Sequence, residues 1–152
     1  MGSLKNKGNI IIIRDTREQR GLSFNGYEVI DKALPTGDYS LLGYENYIVV
    51  ERKRVNELFG CFGADRDRFI KEIKRMQKIP YKFIVVEGAY NEIDEGKRFS
   101  KMSTKVVKGS INSLRLRYNV HVIFAGNKEN AEGIILDLFT KFNKYINRGD
   151  II

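Results

Sequence analysis

Glu51 and Lys53 stand two residues apart at the end of the apolar run that starts at Tyr47. Side chains at that spacing leave the same face of a strand, while Arg52 points to the other. Upstream, Asp38 to Leu42 and Tyr47 to Arg52 flank Gly43-Tyr44-Glu45-Asn46, a pattern that predicts a hairpin with a short loop. If Leu42 and Tyr47 close it, Ser40 lies opposite Val49 and Asp38 lies opposite Glu51. Directly opposed residues have Cβ atoms about 4.5–5.5 Å apart, and two carboxylates so placed repel unless they share a cation. Oxygen-only donors suit Mg²⁺, with Mn²⁺ as a substitute. Held by Asp38, Glu51 and the main-chain carbonyl of Arg52, such an ion would polarise a phosphodiester oxygen and lower the pKa of a bound water. Lys53 would orient that water or stabilise charge on the phosphate. The bland alternative is an exposed strand that ends in charge. Glu-x-Lys alone arises by chance about once in a few hundred positions, so its company has to carry the reading.

The surrounding pattern predicts the elements that must hold these groups. Asn9 to Arg14 contains four consecutive isoleucines and empties into Asp15-Thr16-Arg17-Glu18, as expected of a strand buried on both faces. Tyr27 to Asp31 reads as a second short strand. From Asp67 to Lys78, Phe69, Ile70, Ile73 and Met76 share one helical arc, and Lys71, Lys74, Arg75 and Lys78 fall opposite. Tyr81 to Glu87 and Val120 to Ala125 read as further strands. A helix with Val107, Ile111, Leu114 and Tyr118 on one face lies between them. Asn127 offers an N-cap for a last helix with a stripe of Ala131, Ile134, Leu138, Phe142 and Tyr145. A strand meander followed by alternating strands and helices predicts an α/β fold, a mixed β-sheet flanked by helices on both faces.

The chain has 152 residues, room for one core. Residues 1–8 read as a polar tail, with Gly2-Ser3 as a cloning remnant, and 9–152 as a single domain. Lys plus Arg number 27 against 19 Asp plus Glu, a net charge of +8. That balance favours a polyanionic partner, although solubility alone also explains it. The longest apolar run, Ile10 to Ile13, is far short of a membrane span of about 20 residues. With Cys61 as the only cysteine and His121 as the only histidine, there is no internal disulfide and no Cys-rich zinc site. Cys61 is expected in a Gly-flanked turn, with no third group to orient a Cys-His pair.

In order along the chain come Asp15-Thr16-Arg17-Glu18, Gly37-Asp38-Tyr39-Ser40, Val50-Glu51-Arg52-Lys53, and Arg68-Phe69 followed by Arg75-Met76. Together these resemble the nuclease domain of the XPF family of structure-specific endonucleases, within the PD-(D/E)xK restriction-endonuclease-like superfamily. The resemblance runs from about Ile10 to Phe142. It implies an active site of Asp15, Glu18, Asp38, Glu51, Arg52 and Lys53, a divalent metal, and cleavage of branched or flapped DNA. The family pattern places an aspartate four residues after the lysine, where this chain has Glu57, one methylene longer. The family usually adds a tandem helix-hairpin-helix module for gripping DNA, and none is expected within this chain. The resemblance also implies a homodimer or heterodimer through the nuclease domain. The location it implies is cytoplasmic for a prokaryotic or viral source and nuclear for a eukaryotic one.

Arg14, Arg17 and Arg52 are phosphate-clamp candidates by guanidinium geometry, or salt-bridge partners of the nearby acids. Arg68, Lys71 and Arg75 are DNA-binding candidates on the predicted helix, Arg75 by the resemblance, whereas Lys74 and Lys78 read as a solvated face. Lys97, Arg98, Lys101, Lys105 and Lys108 form either a DNA-contacting loop or an ordinary solvated one. The last helix is core or a dimer face. Two alternatives to a branched-DNA endonuclease remain: a catalytically impaired DNA-binding or dimer-partner module, and a sequence-specific restriction or RNA-processing nuclease on the same core.

Overall fold

The computed structural model describes residues 10–98 and 102–151, with side chains 96–98 left out. The elements run β1 (Ile11–Arg14), β2 (Glu28–Asp31), β3 (Tyr39–Leu41), β4 (Ile48–Lys53), α1 (Val55–Phe62), α2 (Arg66–Met76) and β5 (Tyr81–Val86). A 3₁₀ helix (Tyr90–Arg98), α3 (Thr104–Tyr118), β6 (His121–Phe124) and α4 (Lys128–Arg148) follow. The six strands form one mixed sheet in the order β2-β1-β3-β4-β5-β6. β1 and β2 run parallel, β3 runs antiparallel to both β1 and β4, and β4, β5 and β6 run parallel.

The predicted meander is therefore corrected in one respect. β2 pairs on the outer side of β1, and the chain then crosses to place β3 on the inner side. The β1–β2 pair is parallel, so it needs a crossover and cannot be closed by a hairpin.

β4 explains the layering. Ile48 and Val50 enter one core with Tyr39, Leu41, Phe139 and Phe142, while Val49 enters the other with Phe59, Phe69, Ile73 and Ile111. A strand that feeds both cores reads as a continuous apolar run, and Glu51 interrupts it at the point where the site begins. α1, α2 and α3 cover one face of the sheet, and α4 covers the other.

The hairpin register matches the expected one: Tyr39 faces Val50, and the Asp38 amide donates to the Val50 carbonyl at 2.9 Å. The loop itself is longer than expected. Leu42 turns away to donate to the Ile11 carbonyl, so β1 recruits the residue that was to close the turn.

Three further expectations are corrected. Cys61 lies in α1, buried, because Val55, Leu58, Phe59 and Phe62 make an apolar helical face that outweighs the flanking glycines. On α4 the buried ladder is Ala131, Ile135, Phe139 and Phe142, with Ile134, Leu138 and Tyr145 half-buried beside it. Both ladders run through Ala131 and Phe142, and the large Phe139 ring takes the core. Finally, Lys105 and Lys108 belong to α3, capped by the Ser103 side chain, and Lys108 pairs with Asp94 at 2.8 Å. Lys101 lies outside the described residues, as do the side chains of Lys97 and Arg98.

Candidate active site

The end of β4 carries the site. Gly37 adopts φ +81°, and a Cβ there would be driven into the Val49 side chain. Only glycine lets the chain turn this tightly into β3. That turn delivers Asp38, whose Oδ2 accepts the Arg52 amide at 2.7 Å and whose carboxyl lies within hydrogen-bond reach of Glu51. Glu51 is 5% exposed. The Lys53 ammonium sits 3.7 Å from its Oε1 and 5.9 Å from the centroid of the Phe69 ring. Asp38, Glu51 and Lys53 thus converge on the face covered by α2.

The two acids are held against their ordinary ionisation. Burial is the main cause for Asp38, pushed up to about 6, and the Glu51 and Arg52 hydrogen bonds only partly offset it. Glu51 is also raised, first by burial, then by a hydrogen bond to Glu72 and by the charge of Asp38. Burial lowers the Lys53 pKa, but its anionic neighbours, Glu51 foremost, outweigh it and hold the ammonium charged.

Glu72 is a site residue that the motifs did not reveal. It stands on α2 beside the buried arc of Phe69, Ile73 and Met76, an acid among Lys71, Lys74 and Arg75. An acid at the border of an apolar arc was the available signal. Glu87, just past β5 in parallel register with β4, was also missed, and it pairs with the Arg52 guanidinium.

The remaining candidates separate into two groups. Asp15, 2% exposed, accepts from the Arg17 guanidinium at 2.7 Å and from the Leu34 amide at 2.8 Å. Burial raises its pKa, but these partners outweigh burial and leave it lowered. Glu18 receives Arg52 Nη1 at 3.3 Å, and Arg52 also donates to the Arg20 carbonyl at 2.7 Å. Arg14 is forked onto Asp31 and donates to the Leu22 carbonyl. Arg14, Arg17 and Arg52 are therefore engaged in ion pairs that pin loops, the alternative to phosphate clamps.

Glu57 accepts the Arg54 amide at 2.8 Å, as half of a capping box at the start of α1, and it lines the cleft beside Lys53. Arg68 pairs with Asp65 at 3.1 Å. Lys71, Arg75 and Lys105 are exposed. A cleft of about 380 Å³ opens beside Lys53, lined among others by Arg17, Arg20, Arg54 and Lys128.

The donor set fits a hard divalent cation. Two neighbouring carboxyls held above their ordinary values chiefly by burial are stabilised by a cation in place of protons. The Arg52 N–H points to Asp38, and in an extended strand the carbonyl of the same residue leaves on the same edge. Among the described residues no three His, Cys, Asp or Glu side chains are grouped as a cage. Mg²⁺ commonly takes only one or two carboxylates and completes its shell with water and phosphate oxygens.

This arrangement coincides with a family assignment, since the ERCC4-domain model matches residues 13–138. The chain belongs to the ERCC4-domain family. Its structure is similar to XPF from Aeropyrum pernix, with a TM-score of 0.64 and 23% identity, over 88% of this chain and 60% of that one. XPF from Aeropyrum pernix in complex with DNA gives a TM-score of 0.71 at 23% identity, covering 89% of this chain and 66% of that one. The expected α/β architecture, a mixed sheet flanked by helices on both faces, is thus observed and matches that of XPF. Among curated proteins, the chain is 28% identical over 137 residues to a putative ATP-dependent RNA helicase of Methanocaldococcus jannaschii, covering 89% of this chain and 16% of that protein. The ERCC4-type domain therefore corresponds to a small part of that relative.

Proposed function

We propose that this ERCC4-type nuclease domain is a Mg²⁺-dependent endonuclease that hydrolyses phosphodiester bonds in branched or flapped DNA, leaving a 3′-hydroxyl and a 5′-phosphate. The observation that carries the reading is the convergence of Asp38, Glu51 and Lys53 at the end of β4, two buried carboxylates beside an ammonium. Asp38, Glu51 and the Arg52 carbonyl would hold the ion, which supplies Lewis-acid polarisation of the phosphate and an activated water. Lys53, kept cationic by Glu51, stabilises the negative charge that develops on phosphate. The Phe69 ring lies under the ammonium, 5.9 Å from it to the ring centroid, and offers it a cation–π contact. Arg52 acts from the opposite face, tying Glu18 and Glu87 so that the cleft keeps its shape.

The impaired-module reading rested on Glu57 in place of an aspartate. Its engagement with the Arg54 amide gives the longer side chain a structural use, which favours the active reading. The proposal includes pairing with a second nuclease-domain chain, for which half-buried Ile134, Leu138 and Tyr145 on α4 are the candidate face; sedimentation velocity checks it. Labelled flap, fork and linear duplexes incubated with Mg²⁺ or EDTA test the activity. Cleavage confined to junctions and dependent on metal is expected. Binding without cutting under both conditions would leave only the impaired module.

A further inference from the structure

A second cleft, of about 450 Å³, lies between α2 and α3, across α2 from the acid pair. Arg66, Lys71, Lys74 and Arg117 line it against one acid, Asp67, with Ser110 and Ser113 adding hydroxyl donors. Several cations elsewhere are matched: Arg14 with Asp31, Arg17 with Asp15, Arg52 with Glu87, Lys141 with Asp137. The four groove cations have no carboxylate partner among the described residues. Arg117 meets only the Tyr118 ring, 5.6 Å away. Like charges gathered without counter-charges repel, and such a concave site concentrates anions.

The groove is also continuous with the site. At about 100° per residue, Arg75 and Lys71 fall on α2 between Glu72, which meets Glu51, and Lys74, which lines the groove. A band of positive charge therefore crosses the outer side of one helix from the acids to the cleft. A helix with its side chains is about 10–12 Å wide, about three base steps of duplex at 3.4 Å each.

Resting on the nuclease reading for its substrate, we propose that this groove binds the phosphate backbone of a duplex DNA arm about three base steps from the scissile phosphate. Its chemistry is cationic and hydroxylic, suited to phosphate oxygens and blind to sequence.

The test compares Arg66→Ala/Lys74→Ala/Arg117→Ala with Lys32→Ala/Lys141→Ala/Lys144→Ala, which removes the same charge elsewhere. Both are made in the whole chain with Asp38→Asn to prevent cutting, and both are checked for folding by circular dichroism. Anisotropy of a labelled flap duplex is followed against salt. Each lost phosphate contact should reduce the log–log slope by about 0.9, so the groove variant should lose about 2–3 of slope and bind about tenfold or more weakly. The control should change little. With Asp38 restored, cleavage at limiting DNA should fall in step. Equal affinity and slope in the two triples overturns the groove, even where Asp38→Asn still abolishes cleavage and upholds the active site. Loss of binding in the groove triple alone supports the groove even if the wild type never cuts. Competition by polyglutamate as effective as that by duplex overturns DNA as the occupant.

Discussion

Asp15 and Asp38 leave neighbouring strands at the same level of the sheet, joined by the bond from the Asp15 amide to the Asp38 carbonyl at 2.8 Å, yet their environments are opposite. Asp15 is surrounded by donors, the Arg17 guanidinium and the Leu34 amide, and its pKa falls. Asp38 is buried beside a second acid, and burial raises its pKa more than its hydrogen bonds to Glu51 and the Arg52 amide lower it. A buried carboxylate supplied with N–H groups is a fastener. One whose hydrogen bonds do not offset its burial, lying beside a second acid, is a place where a cation can stand in for a proton. The contrast supports the proposed role of the Asp38–Glu51 pair in chemistry, while Asp15 ties the loop that carries Arg17 and Glu18.

The largest expected effect separates the two acids by activity. Asp38→Asn or Lys53→Ala should lower metal-dependent cleavage about a thousandfold or more, with folding and most DNA affinity retained because other phosphate contacts supply them. Turnover of either variant at the wild-type rate would remove the assignment. Next in size, Mn²⁺ at a hundredfold excess over its dissociation constant should stabilise the protein by about 2.7 kcal/mol. Calorimetry should show no such gain in Asp38→Asn.

Asp15→Ala reverses the pattern. It should cost about 2 kcal/mol of stability, because the buried Leu34 amide loses its acceptor, and denaturant titration measures it. A stability loss for Asp38→Asn as large as that for Asp15→Ala would erase the contrast.

The two acids also impose opposite pH dependences on the metal-free protein. The Asp15 contribution is present above its ordinary value of 3.8 and is lost as pH falls through its lowered folded value. Asp38 binds its proton more tightly folded than unfolded, so its contribution favours the folded state at low pH. That contribution declines as pH rises from 3.8 toward about 6. Asp38→Asn should flatten this decline in a series of thermal melts, and an unchanged slope would count against the burial of the pair. The smallest effect belongs to Glu57: Glu57→Ala should cost about 1 kcal/mol through the lost cap, leaving cleavage within a few-fold.

The hairpin was legible because a strand has a period of two and its register follows from one pairing, so Asp38 and Glu51 could be placed opposite one another before any coordinates. The glycine before Asp38 and the Glu-Arg-Lys run marked the same spot. Glu72 and Glu87 were not legible: each reaches the site from another element, through helix packing and parallel register that local pattern does not specify. The α4 ladder failed for a related reason, since two overlapping stripes satisfy the same helical period and only packing against the sheet selects Phe139 over Leu138.

By itself the amino-acid order determined the strands, the main helices, the shared face of Asp38, Glu51 and Lys53, and the excess of positive charge, because these follow from short-range periodicity and composition. Tertiary structure alone decided which acids are satisfied and which are strained, which arginines are tied into ion pairs, and where unpaired cations collect. Those properties depend on distances between side chains far apart in the chain, and on burial, which penalises an unpaired charge and strengthens the interaction of a paired one.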